Sequence, residues 1–334
     1  MIKKNNIFTG EGVIEKLPAL AKKLKSKKIL LAYDVKAEKT ALRIKELLKC
    51  GKEEVYSYIL TNGEREKTFE SVGKIISELI KNEFVKTDCL VAVGGGTTGD
   101  LCGLVAALYM RGMKYISVPT TVIAACDSSV GGKTAVDFYG KKNIVGTFHD
   151  PDYVVCDFEV LENLPENVKK DGEGEILKYA LLDKEIFSLV SENAPLNEII
   201  QKCIEYKIRI CMKDYFDKGV RHYLNLGHTA GHAAESLSNF KLSHGEAVKS
   251  GLKFIVELSV KKGYMSPETG EKCLEFLIKR GAKDFEYDQG ELADVAKCDK
   301  KRKGGYVELV LLKDIGEPFI EKVKTEKLGE YYGN

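Results

Sequence analysis

Four of the five histidines, His222, His228, His232 and His244, fall within a stretch of 23 residues in the second half of the chain. His228 and His232 are four residues apart, so on a helix they share one face. His244 follows His228 by sixteen residues, enough for a turn and a return on the next helix. Neutral imidazoles joined by a carboxylate suit zinc or cobalt with a coordination position left open for substrate. The carboxylate is expected from DGEGEILKYA (171–180), where Glu173 and Glu175 both qualify by chemistry.

Two further stretches carry groups suited to anions. In VAVGGGTTGD (91–100) an apolar run ends in three glycines and opens a helical pattern. Such a turn lets backbone N–H groups approach a pyrophosphate at a helix N-terminus. Thr97, Thr98, Thr120 and Thr121 add hydroxyls at the ends of two strands, the edge where ligands sit in open α/β sheets. The glycines do not follow the GxGxxG dinucleotide spacing, and a plain tight turn is the competing reading. CDSSVGGKTAVDFYGKKNIVG (126–146) places Lys133 and Lys142 near Asp127, Asp137 and Asn143. Its poor periodicity suggests a loop, and lysines among glycines suit a phosphate or carboxylate. GGKT lacks the leading spacing of a Walker loop, which disfavours a nucleotide triphosphatase.

The elements that must hold these groups alternate in the first half. Strand-like 27–34, 53–60, 88–96 and 115–121 are separated by helix-like 37–50, 68–84 and 100–112. That order predicts a parallel sheet covered on both faces. Beyond about residue 158 helical patterns dominate until YVELVLL (306–312). The expected organisation is an α/β Rossmann-like domain over 1–158 and a mainly α-helical domain over 159–334. Lys+Arg 52 against Asp+Glu 50 leaves a charge of +2, which argues against an electrostatic nucleic-acid binder. No apolar run approaches a membrane span or a signal sequence. The nine cysteines never form a CxxC pair and are expected as reduced, mostly buried thiols of a cytoplasmic protein.

Taken together, GEREK (63–67), VAVGGGTTGD, VPTT, DSSVGGKTAVD, KNIVG, GEGEILKY, LNLGHTAGHA and HGEAV make the chain resemble the 3-dehydroquinate synthases over nearly its whole length. The resemblance implies a Rossmann-like N-terminal domain and a helical C-terminal domain. It implies bound NAD, one zinc or cobalt ion and a homodimer. The reaction it implies turns 3-deoxy-D-arabino-heptulosonate 7-phosphate into 3-dehydroquinate and phosphate by metal-assisted oxidation, elimination, reduction and aldol closure. Carried onto this sequence, the metal ligands would be Glu175, His228 and His244, with His232 turned to substrate instead. Asp127 would lie beside the reacting carbon. Lys133, Asn143, Lys178, Lys207, Arg221 and Asn225 would hold the sugar phosphate, with Lys300 a further phosphate contact for which Lys301 competes. Arg111 would reach across a homodimer interface. Glu64, Lys67, Gly96, Thr97, Thr98, Gly99, Asp100, Thr120, Thr121 and Lys142 fall on NAD-binding positions, and Asn163 stands where a threonine is common.

Some positions depart from the family pattern. GEGE replaces the usual GLAE, so Glu173 is expected to add a charge beside the metal ligand. DVK follows the first strand-like run in place of an Asn-containing turn, and DYFDKG replaces an ERE-like stretch. Cyclases acting on sedoheptulose 7-phosphate or glucose 6-phosphate share this pattern, as do glycerol-type dehydrogenases. Asn225, His232 and Arg221 favour the dehydroquinate enzyme among the cyclases. The cations Lys133, Lys178, Lys207 and Arg221 count against a dehydrogenase, and no ligand is missing as a non-catalytic relative would require.

Overall fold

The structure is a computed structural model that describes residues 4–51, 53–239, 241–300 and 305–333. The side chains of Lys4 and of residues 298–300 lie outside that description. The side chain of Lys300 and all of Lys301, expected at the substrate phosphate, therefore lie outside that description. The chain forms two compact units, Met1–Lys169 with Lys207–Phe216, and Lys170–Tyr206 with Asp217–Asn334.

The first unit contains strands β1 (Ile7–Gly10), β2 (Lys28–Asp34), β3 (Glu54–Leu60), β4 (Cys89–Gly94), β5 (Lys114–Pro119), β6 (Lys133–Phe138), β7 (Lys141–Phe148) and β8 (Tyr153–Asp157). Six of them form a parallel sheet in the order β1-β8-β5-β4-β2-β3. The central strands β2, β4 and β5 are mostly apolar and buried along nearly their whole length because helices cover both faces. Alternate residues serve opposite faces: Ile29, Leu31, Val91 and Val93 pack with Ile44 and Leu48. Leu30, Ala32, Leu90 and Ala92 pack on the other face with Val72, Ile75, Leu101 and Val105. From β2 the chain crosses first to β3 and then back to β4 on the opposite side. The carboxyl ends of β2 and β4 thus form a topological switch point, the place where open α/β sheets bind ligands.

The strands and helices expected at 27–121 appear with ends shifted by a few residues. The helix expected at 100–112 instead runs Gly96–Leu108, starting inside the glycine run. The segment expected as a loop at 126–146 is largely ordered pairing. After a π-turn at Ala124–Ser128, β6 and β7 form an antiparallel hairpin. Its turn residues Tyr139 and Gly140 have φ of 48° and 70°, the backbone of a two-residue type I′ connection. Thr134 and Val136 are buried, whereas most of β7 is exposed, so polar composition masked the strand. β1 and β8 complete the sheet, and both were too short to show periodicity.

Asp157 ties these two strands to the short helix Phe158–Glu162. It is fully buried, and its carboxylate accepts from the N–H groups of Gly12 at 3.0 Å, Ile14 at 3.1 Å and Glu159 at 3.0 Å. Asp157→Ala should destabilise the chain by about 2–3 kcal/mol, since buried donors would lose their acceptor. Urea unfolding checks this, and a loss below about 0.5 kcal/mol would show that other groups satisfy those amides.

The second unit is mainly helical. Its elements include helices Glu166–Leu182, Lys184–Ser191, Leu196–Lys213, His228–Leu237, His244–Lys261, Pro267–Ile278 and Gln289–Lys300. The helices Glu166–Leu182 and Leu196–Lys213 each run across a boundary between the units. β9 (Tyr306–Leu312) and β10 (Pro318–Lys324) form an antiparallel hairpin. Helix His244–Lys261 starts from a capping box between Ser243 and Glu246, which fixes where His244 enters the helix. No described helix is long and apolar enough to cross a membrane. Eight described cysteines are free thiols, and all but Cys50 are buried.

Candidate active site

The histidine cluster assembles from three helices. Nε2 of His228 lies 3.1 Å, and Nε2 of His244 2.9 Å, from Oε1 of Glu175. The other oxygen of Glu175 faces Nζ of Lys178 at 2.5 Å, and both side chains are almost completely buried. His228 is the first residue of its helix, after Gly227 in the left-handed region at φ 76°. Its Nδ1 is 3.0 Å from the Leu226 carbonyl oxygen, and Nδ1 of His244 is 2.9 Å from the Glu235 carboxylate. Each Nδ1 therefore has an acceptor, which leaves each Nε2 to point at the common centre.

This donor set fits a divalent ion. The ligand atoms of Glu175, His228 and His244 lie within 4.8 Å of one another, with the mixed carboxylate and imidazole chemistry that zinc and cobalt accept. Burial pushes the Glu175 carboxyl up, but the Lys178 ammonium and the imidazoles outweigh it and hold the group well below the usual carboxylate range. Burial pulls His244 down, yet Glu175 and Glu235 on either side raise its pKa to about 10. The pocket thus favours a positive charge at its centre.

Glycines permit the close approach of these helices. A Cβ on Gly174 would sit 2.7 Å from the Gly245 carbonyl oxygen, and one on Gly245 would overlap the Asp171 carbonyl. Gly174 and Gly245 are the immediate neighbours of Glu175 and His244, so the ligands meet where the backbones are closest.

Glu173 behaves differently from the expectation that it would charge the metal site. Its carboxylate pairs with Nζ of Lys249 at 2.7 Å. Residues two apart on a helix point to different sides, so only Glu175 faces the histidines. His232 stays near the cluster, with ring centroids 5.3 Å from His228 and 5.9 Å from His244. It forms a second candidate group with Glu235 and His244. Arg221 is buried and Asn225 exposed within the short 3-10 segment Val220–Asn225. His222 anchors that segment through Nδ1, 2.8 Å from the Glu308 carboxylate, and Nε2, 2.8 Å from the Asp217 carbonyl.

The first unit brings together most of the residues expected at the cofactor. Helix Gly96–Leu108 begins after Gly95 with no side chain capping it, so its first turn presents backbone N–H groups at the switch point. Cβ atoms on Gly95 and Gly96 would come within 3.3 Å of Thr121 and 3.1 Å of Ser128, so small residues keep this turn open. Glu64 accepts from the hydroxyl of Thr97, and Nζ of Lys67 lies 2.7 Å from the Asp100 carboxylate. Thr98 and Thr120 are buried, and Thr120 N–H donates to the Gly94 carbonyl at 2.9 Å. The hydroxyl of Thr121 accepts from Ala124 N–H at 3.2 Å.

Asp127 and Lys207 also meet: the buried Lys207 ammonium lies 2.8 Å from the Asp127 carboxylate. Lys133 stands exposed at the start of β6, and Lys142 and Asn143 are exposed on β7. Asn143, at φ 52°, donates its N–H to the Asp137 carboxylate at 2.7 Å. Asp137 in turn donates its N–H to the Lys67 carbonyl at 2.8 Å, a link that the spacing of these residues did not suggest. Arg111 is exposed, with Met110 and Arg111 at φ of 48° and 60°. Asn163 donates to the Glu159 carbonyl at the end of its own helix, 2.8 Å away.

The doubly wound sheet followed by a helical unit is the fold class also seen in a 2-deoxy-scyllo-inosose synthase and, as fold alone, in an iron-containing alcohol dehydrogenase. The structure of a 2-deoxy-scyllo-inosose synthase complexed with carbaglucose-6-phosphate, NAD+ and Co2+ matches with a TM-score of 0.87 and 25% identity, covering 98% of this chain and 95% of that one. A 2-epi-5-epi-valiolone synthase from Streptomyces hygroscopicus with NAD+ and Zn2+ bound has the same fold, with a TM-score of 0.84 at 21% identity, covering 99% of this chain and 96% of that one. In sequence, the pattern described as 3-dehydroquinate synthase N-terminal matches residues 57–171, and that described as 3-dehydroquinate synthase C-terminal matches residues 172–302. The 3-dehydroquinate synthase of Clostridium acetobutylicum is 36% identical over 98% of this chain and 95% of its own length. The chain belongs to the 3-dehydroquinate synthase family.

Proposed function

We propose that the chain converts 3-deoxy-D-arabino-heptulosonate 7-phosphate into 3-dehydroquinate and phosphate, a carbon–oxygen lyase reaction of aromatic amino acid biosynthesis. The observation that carries this reading is the convergence of two imidazole Nε2 atoms on the buried Glu175 carboxylate in a chain of this family. Glu175, His228 and His244 hold a zinc or cobalt ion. NAD is held by the 1–158 domain through Glu64, Lys67, Gly96 to Asp100, Thr120, Thr121 and Lys142, with Asn163 beside it. When bound, the ion supplies Lewis acidity toward a substrate hydroxyl, and NAD supplies a hydride acceptor that is restored within each turnover.

The chain's own side chains do the rest. Lys133, Lys207, Arg221 and Lys300 neutralise phosphate and carboxylate, and Asn143 and Asn225 orient hydroxyls by hydrogen bonding. Asp127 holds the buried Lys207 ammonium in place through an ion pair 2.8 Å long. Lys178 and His232 border the reacting part of the sugar, where they stabilise negative charge that develops as phosphate leaves. We further assign a cytoplasmic homodimer, with Arg111 contributed across its interface.

The test is incubation of the purified chain with the heptulosonate phosphate, catalytic NAD and zinc or cobalt. Dehydroquinate and phosphate should appear together without NADH building up. Phosphate released only from sedoheptulose 7-phosphate would move the chain to a sister cyclase, and NADH accumulating with glycerol would make it a dehydrogenase.

A further inference from the structure

The two imidazoles are oriented by different partners. Nδ1 of His228 meets a neutral backbone carbonyl, that of Leu226, at 3.0 Å. Nδ1 of His244 meets a carboxylate, that of Glu235, at 2.9 Å. Glu235 is 5% exposed. It lies seven residues beyond His228 on the same helix, which brings it back to the same face. One helix therefore supplies a ligand of its own and the partner of a ligand carried by its neighbour.

We propose that Glu235 is a positioning residue for the metal centre. Its carboxylate holds the His244 ring so that Nε2 faces Glu175, and it makes that nitrogen a stronger donor than a neutral acceptor would. The geometric support is the short chain of contacts, Glu235 to His244 Nδ1 and His244 Nε2 to Glu175, each 2.9 Å long. An acceptor behind a ligating imidazole fixes both its tautomer and its angle, and removing one costs about 10–100-fold in metal affinity. The inference rests on the reading that Glu175, His228 and His244 hold the ion. Because Glu235 also falls within 4.8 Å of His232 and His244 ligand atoms, direct ligation by Glu235 is the rival arrangement.

Cobalt titration of the metal-stripped full-length chain, followed by visible absorption and chelator competition, separates these. Glu235→Gln should bind cobalt about 10–100-fold more weakly than wild type, with band positions unchanged, because the ligands remain the same. Glu235→Asp, which keeps the charge but withdraws it by one methylene, should weaken binding in the same direction. Thermal unfolding of the metal-free variants should match wild type. Wild-type cobalt affinity in both variants would overturn the proposal. So would shifted bands in Glu235→Gln combined with wild-type affinity in Glu175→Gln, which would make Glu235 a ligand. If the wild-type chain itself takes up no cobalt, the ligand reading falls and the proposal falls with it, an outcome that the wild-type titration alone identifies.

Discussion

Glu175→Gln is expected to remove the metal and to lower turnover by about three orders of magnitude. The substitution takes away the one ligand that both imidazoles face, and a Lewis acid at such a centre is worth several kcal/mol of transition-state stabilisation. At about 1.4 kcal/mol per factor of ten, roughly 4 kcal/mol corresponds to that loss. A second penalty comes from Lys178, whose buried ammonium would lose the Glu175 carboxylate. Breaking one side of a buried pair costs about 3–5 kcal/mol, so unfolding should shift as well. Metal content after dialysis, turnover and urea unfolding read the three effects separately. Glu173→Gln is the matched control: it removes the same charge two residues away, from a carboxylate turned to Lys249. It should keep its metal. Equal metal loss in both variants would mean that general charge, not ligation, retains the ion.

Gly245→Ala is expected to be as damaging although it changes no polar group. The added Cβ would overlap the Asp171 carbonyl, a backbone atom that cannot swing aside. The Gly245 N–H also donates to the Asp171 side chain at 2.8 Å, so separating the helices breaks that contact. A loss of about 3 kcal/mol in stability follows from forced overpacking. Metal affinity should fall together with stability, because His244 precedes the displaced residue. Gly73→Ala gives the opposite sign. Its Cβ would meet nothing within 4 Å in an exposed helix position, so a gain of about 0.5–1 kcal/mol is expected. Urea denaturation of the two variants measures both, and similar values for the pair would show that the helices around the site relax freely.

The sheet was legible in the sequence where strands are long and apolar. β2, β4 and β5 announced themselves because both faces of each are buried, which leaves few polar residues to blur the run. β7 was not legible, since nearly all of it is exposed and its pairing depends on a two-residue turn with Tyr139 at positive φ. At the site, the histidine spacing pointed to side chains that the structure brings together, but helical periodicity alone made His232 as good a candidate ligand as His228. What separates them is three-dimensional: His228 starts its helix directly opposite Glu175, with the Leu226 carbonyl behind its ring. Glu235 and the Glu173–Lys249 pair were invisible for the same reason, as their partners lie on other helices.

The path of the chain between its units has a practical consequence for dissecting this protein. The first unit is not contiguous: it takes back Lys207–Phe216 after the chain has already entered the second. A fragment ending anywhere from 158 to 169 would lack Lys207, and with it the buried partner of Asp127. It would also lack Tyr215 and Phe216, whose rings pack on Phe148 with centroids 5.4 Å away. The complementary fragment would carry the last turns of helix Leu196–Lys213 with no place to bury them. Halves made by a single cut are therefore poor surrogates for the two units. Inserted domains should instead enter at the exposed Tyr139–Gly140 turn, a hairpin tip within the first unit that leaves both ends of the insertion close together.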